Sequence, residues 1–253
     1  MATAALLLAL AKRQPPAPLA ASLFGWMLIM ASDSALIVPV ICGGADAGAS
    51  GLETTLALNA PGTLILAWLA MLLAMMPPLL AGPIAHLTLR SLKRRRFRAV
   101  AMFVAGYGAL WLAAAPALVV VAIAARWFAT VTGLPVLAAA AMIALGWQAT
   151  PFKQLALNRC HRLPRLSAFG AKADLDCLRY GAASGVWCVG ACWALMVLPL
   201  VGEWHLPLMA AVMLIALLER SRLARPARWG FKVPPLFVEA FGGLRPNRIG
   251  SIP

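Results

Sequence analysis

The lysines and arginines of this chain fall almost entirely between its apolar runs, and they crowd into alternate gaps. Counted in chain order, the segments outside the runs hold 2, 0, 6, 1, 6, 0 and 7 of them. Runs of roughly 20 residues almost free of charge have the length a helix needs to cross the hydrocarbon core. A Lys/Arg bias to one set of connections marks the cytoplasmic side. The pattern predicts an all-α, polytopic membrane protein: a six-transmembrane-helix bundle with both termini cytoplasmic, in the cytoplasmic (inner) membrane of a bacterium. The expected spans are 19–41, 62–82, 99–125, 131–149, 180–201 and 205–220. They divide the chain into a cytoplasmic N-terminal segment, 1–18, a membrane domain, 19–220, and a basic cytoplasmic tail, 221–253.

Composition agrees. Hydrophobic residues make up 62% of the chain and charged residues 12%, with a mean hydropathy of +0.85. Soluble domains are nearer half apolar and about a quarter charged. In a soluble protein the net charge of +14 would raise nucleic-acid binding. Here the positive residues sit beside the apolar runs, as topogenic charge facing anionic lipid. The expected partner is therefore the bilayer and not nucleic acid. "MATAALLLALAKRQPPAP" makes a poor signal peptide, because Lys12 and Arg13 follow the apolar stretch. The five cysteines are an odd number, spread along the chain, which argues against a secreted disulfide framework. The Pro-, Gly- and Arg-rich tail reads as an irregular segment near the headgroups, with Trp229 and Phe231 as anchors.

Within the fifth run, "GVWCVGACWALM", Cys188, Cys192 and Met196 repeat every four residues. At 3.6 residues per turn they share a stripe about 80° wide, and neighbours on it have Cβ atoms about 5–6 Å apart. The same stripe holds Ser184, Pro199 and the pair Gly181 and Gly185, a G-x-x-x-G spacing that lets another helix approach closely. The thiols are therefore expected to face a partner helix, with Trp187 and Trp193 to either side. Two further ladders follow the same period. Met71 and Met75 lie in the second run, with Met76 beside them and a "MMPP" break that should loosen the helix. His205, Met209 and Met213 lie in the sixth, with Glu219 near that face. Thiolate and thioether are soft ligands that select copper(I), and sites spaced about 6 Å along a helix would allow stepwise ligand exchange. Cysteine and methionine also serve as plain packing residues in apolar cores, so each ladder taken alone has that second reading.

In the basic fourth connection, "NRCHRLP" sets Cys160 and His161 between arginines. Flanking positive charge should lower the Cys160 pKa and fit it to receive copper from a soluble carrier. Cys177 and Cys42 read equally well as packing residues. Asp33 is an acid inside the first run, either a relay or a local hydrogen-bond partner. His86, Gln148 and Lys153 read as interfacial, headgroup or capping residues, and "RSLKRRRFR" as a lipid-facing basic cluster. G-x-S-x-G, H-E-x-x-H and P-loop motifs are absent, so no hydrolase constellation is present and no catalytic residue is expected.

"WLAMLLAMMPP" (68–78), "GYGALW" (106–111), "WQATPFKQLALNRCHRLP" (147–164), "GVWCVGACWALM" (185–196) and "LLER" (217–220) occur in an order that resembles the DUF2182 family. Members are predicted metal-binding integral membrane proteins of bacteria, sometimes described as copper chaperones. The likeness covers about 62–220. It implies roles for Met71, Met75, Met76, Cys160, Cys188, Cys192 and Met196. The function expected is copper(I) binding, delivery or translocation, with a soluble copper carrier or another membrane subunit as partner. Two alternatives stay open: a membrane thiol–disulfide redox protein using Cys188 and Cys192, and a structural subunit of a larger membrane complex.

Overall fold

Proline and glycine decide where the helices stop. In this computed structural model, which describes residues 16–31, 61–167, 169–201, 204–221, 224 and 226–230, α1 is Pro16–Ala31 and α2 is Pro61–Met75. Pro77 and Pro78 cannot continue α2, and the chain passes through a 3-10 turn, Pro77–Leu80, into α3, Ala81–Arg90. The axis bends by 56° at that break, as the "MMPP" motif leads one to expect. A second 3-10 turn, Lys93–Arg95, opens α4, Arg96–Thr132, which ends on Gly133 in the left-handed conformation, φ 69°. α5 is Val136–Ala149 and α6 is Pro151–Cys160, where Thr150 caps α6 by accepting from the Lys153 backbone N–H. α7 is Gly170–Val201 and α8 is His205–Arg220. Among the described residues there is no strand.

The described residues are all-helical, and among them two segments are long and apolar enough to cross a membrane: 93–132 and 170–201. The bent pair 64–75 and 77–90 makes a third if it counts as one span. The expected count of six is not carried by helix length. The run 131–149 falls on a 14-residue helix, about 21 Å long at 1.5 Å per residue, against a hydrocarbon core of about 30 Å. The run 205–220 falls on a 16-residue helix, and of 19–41 the described part ends at Ala31. The fifth run starts earlier than expected, at Gly170, because the charges of its first turns find partners. Asp174 accepts from Arg95 (2.6 Å) and Arg98 (2.7 Å) of the basic cluster. Asp33, Cys42, the segment 1–15 and the tail from 231 lie outside the described residues.

α7 is the axis of the bundle and packs against α4, α5, α6 and α8, while α1 lies on α2. In lipid, covering an apolar side chain gains little, so helices associate by close packing and buried hydrogen bonds. Gly181 and Gly185 supply the closeness. A Cβ on Gly181 would strike the Phe103 backbone, and one on Gly185 would press Leu110 and the Tyr107 carbonyl. The expected G-x-x-x-G contact is therefore present, with α4 as the partner. It presses the α4 face formed by Phe103, Tyr107 and Trp111 against α7, and all three rings are buried. The basic connections meet at one end of the bundle, where His86 bonds the Pro164 carbonyl (3.0 Å) and His161 the Arg220 carbonyl (2.8 Å).

Candidate metal centre

The break at Met76 and the α4–α7 contact bring two sulfurs to one hydroxyl. Tyr107 Oη lies 3.2 Å from Met76 Sδ and 3.1 Å from Cys188 Sγ. A thioether can only accept. With Cys188 as a thiol, Tyr107 therefore donates to Met76 and takes the S–H of Cys188. With Cys188 as a thiolate, the same O–H can turn and donate to it. Cys192 follows one helical turn along α7, within interaction range of Cys188. Met76, Cys188 and Cys192 are 4%, 1% and 6% exposed, and both cysteines are free thiols. All three are buried, and for the two thiols that is what the stripe on the sequence leads one to expect.

One turn beyond Tyr107, Trp111 is wholly buried and its Nε1–H has no hydrogen-bond partner. It lies close enough to Cys188 to interact with it. The ring is fixed from the other side, where Trp68 Nε1 donates to the Trp111 carbonyl at 3.1 Å. A buried N–H left unpaired is costly, and here it sits beside a thiol that becomes an acceptor when it loses its proton.

Charge enters from the basic end. Lys153 is 2% exposed and pairs with Glu219 at 2.7 Å while donating to Gln148. The expectation that Lys153 and Gln148 sit among headgroups or cap a helix is overturned. α6 folds back against α7, so its first turn points inward rather than to lipid, and the capping group is Thr150. Lys153 and Glu219 act electrostatically on Cys192, and Arg220 acts on Cys188, Cys192 and Cys160. Cys160 is buried as well. Its thiol is pushed up to about 12, chiefly by burial and then by Cys188, with Arg220 opposing. The lowered pKa expected from its arginine neighbours does not occur. Arg159 stacks on Trp187, its guanidinium carbon 4.4 Å from the ring centroid, and Arg162 is exposed.

The other ladder residues are distributed through the same core. Met71, Met75, Met196 and Met209 are buried in it, and Met213 packs against it half-buried. His205 lies towards the opposite end, its Nδ1 2.8 Å from the Pro199 carbonyl, about 16 Å along α7 from Cys188 by helix rise. Among the described residues there is no group of three or more His, Cys, Asp or Glu that could hold a metal. The sulfurs that do meet are two thiols and a thioether, which are soft donors. The sulfur stripe did not disclose Tyr107 and Trp111. Their signal was available in the sequence as two hydrogen-bonding aromatics four residues apart in the middle of an apolar run.

The family model for PpoB2, described as a copper chaperone, matches residues 65–243. The chain belongs to that copper chaperone family. The matched region contains the Met76, Tyr107, Trp111, Cys188 and Cys192 cluster and both long helices. The copper-chaperone description is the one that the likeness to the DUF2182 family implies, although the match does not carry that family's name. No curated protein and no solved structure matches the chain.

Proposed function

We propose that this copper chaperone family member is an integral membrane protein that binds copper(I) through Met76, Cys188 and Cys192 and passes it on within the cytoplasmic membrane. The observation that carries this reading is the Tyr107 hydroxyl shared by the sulfurs of Met76 and Cys188, with Cys192 one turn away. Cargo binding requires the thiols to give up their protons. Tyr107 O–H and Trp111 Nε1–H then become donors to the sulfur of Cys188, fixing its orientation. Met71, Met75, Met196, Met209 and Met213 extend the soft lining through the core, and Cys160 and His205 stand towards its two ends as sites of arrival and departure. Exchange between sulfur sets of similar affinity moves the ion without a large barrier.

In this reading the bundle has six membrane segments and both termini are cytoplasmic. The charge alternation supports that topology, as does the gathering of the basic connections at one end. The short helices α5 and α8 then cross with little tilt in a locally thin part of the bilayer. A soluble copper carrier would approach the basic end, beside Cys160.

The redox alternative is less well supported. Residues four apart on a continuous helix hold their Cβ atoms about 5–6 Å apart, beyond the 3.5–4.5 Å typical of a disulfide. Nothing in the geometry favours the structural-subunit alternative.

Anaerobic titration of the reduced protein with copper(I) against a competing chelator tests the proposal. Cys188→Ser with Cys192→Ser is expected to abolish high-affinity binding while membrane insertion and helical content are kept. Unchanged stoichiometry in that double variant would refute the site.

A further inference from the structure

At the basic end, a cavity of about 330 Å³ opens between the α6–α7 connection and the first half of α7. Four arginines line it, Arg159, Arg162, Arg165 and Arg179, against one carboxylate, Asp176. That carboxylate is engaged, since the Ser167 backbone N–H donates to its Oδ2 at 3.0 Å. The neighbouring Asp174 is taken by Arg95 and Arg98. Among the described residues, Arg162, Arg165 and Arg179 form no ion pair within salt-bridge distance. Two polar atoms in the wall are buried and make no hydrogen bond of normal geometry, Arg159 Nε and Tyr180 Oη, the latter within reach of Ser184. Both are held rigidly. Arg159 lies on the Trp187 ring, and Tyr180 is packed between Phe103 (centroids 5.1 Å apart) and His86 (6.1 Å).

Positive charge in excess, with fixed buried donors at the back, describes a receptor for an anion. Guanidinium forks match the oxygens of a phosphate two at a time, and several forks around one centre suit a tetrahedral oxyanion. The cavity has room for such a group. The same connection exposes Leu163 and Phe169, apolar side chains fitted to acyl chains next to the headgroup layer.

We propose that this cavity binds a phosphate group, supplied by the headgroup of an anionic phospholipid. Tyr180 Oη and Arg159 Nε donate to it, and Arg162, Arg165 and Arg179 close over it. Ser184, which lines the cavity, lies one turn before Cys188 on α7, so the occupied cavity and the copper site share one rigid helix. The inference does not depend on copper being the cargo.

Native mass spectrometry of the full-length protein, released from phosphatidylcholine nanodiscs doped with phosphatidylglycerol, tests it. Retention of phosphatidylglycerol over phosphatidylcholine by tenfold or more is expected. Arg162→Ala with Arg165→Ala and Arg179→Ala should remove that preference. Tyr180→Phe, which changes no charge, should weaken it about threefold. Added inorganic phosphate should displace the lipid only weakly. Displacement at low millimolar phosphate would overturn the lipid as the source and assign the cavity to free phosphate. Equal lipid retention by the wild type and the triple variant would overturn the site altogether. The melting of helical signal in the triple variant, expected to be unchanged, reports that the bundle is intact and keeps this outcome separate from that of the metal centre.

Discussion

Two regions along α7 contrast in how they use buried polar groups. Around Cys188 and Cys192 the groups in closest contact are neutral, two thiols, a thioether, a phenol and an indole, while Arg220, Lys153 and Glu219 act on the thiols electrostatically. One to two turns towards the N-terminus, the polar groups are guanidiniums in excess over carboxylates, with Arg159 Nε and Tyr180 Oη making no hydrogen bond of normal geometry. A neutral, soft pocket stabilises a cation that brings its charge with it, whereas a pocket with surplus positive charge stabilises an anion. An ion pair stands near the sulfur side, Lys153 with Glu219 at 2.7 Å, and both of its charges act on Cys192. Lys153 and Glu219 cancel each other, so neither charge dominates the field at Cys192.

That ion pair is where the contrast breaks most easily. Lys153→Ala leaves the Glu219 carboxyl, 17% exposed at its side chain, without its partner beside a low-dielectric core. Removing one partner of such a pair costs about 3–5 kcal/mol. The expected outcome is a large loss of thermal stability in detergent, measured by the melting of helical signal. Lys153→Met with Glu219→Met should recover most of the loss, since no lone charge remains. If the single variant melts like the wild type, the pair does not support the sulfur side.

A smaller effect sharpens the comparison on the sulfur side. Trp111→Phe removes the N–H beside Cys188 and leaves a small cavity at a fully buried ring, so stability should fall modestly. If that N–H serves a metal-bound Cys188 thiolate, copper(I) affinity should fall by about tenfold, the low end of what outer-sphere partners contribute. Melting and chelator competition on the same preparation check both signs. Unchanged copper(I) affinity would make Trp111 a packing residue only.

How much of this was legible follows from what kind of information each feature needs. The all-helical class, the break at "MMPP", the inward thiols and the Gly181–Gly185 approach are encoded locally, by period and by residues that forbid a conformation. The number of spans was not. Apolar runs count residues, whereas a span requires one continuous helix. Gly133 and Pro135 cut the fourth run short, while Asp174 pairing with Arg95 and Arg98 lets α7 extend past its apolar part. The shared hydroxyl of Tyr107 was not legible either, because it depends on three segments meeting, at residues 76, 107 and 188. Lys153 shows the same limit, since its neighbours in sequence are interfacial and its partner is 66 residues away.

Cys160 provides the smallest and cleanest test, because its chain neighbours and its surroundings in the fold point in opposite directions. Arg159 and Arg162 alone would favour the thiolate. In the fold, burial and the nearby Cys188 hold the Cys160 thiol at about 12. A cysteine is protonated below its pKa, so raising the pKa extends the neutral thiol across the physiological range. At pH 8 about one Cys160 in ten thousand would be thiolate, against roughly a quarter for an ordinary cysteine of pKa about 8.5. Since the thiolate is the species that alkylates, iodoacetamide should leave Cys160 unmodified in the folded protein at pH 8 and modify it after unfolding, as read by peptide mass mapping. Labelling should rise only as the pH approaches 12. Rapid labelling at pH 8 would mean that the arginines govern this thiol after all, and that the basic end reaches further into the sulfur region than the contrast between the two allows.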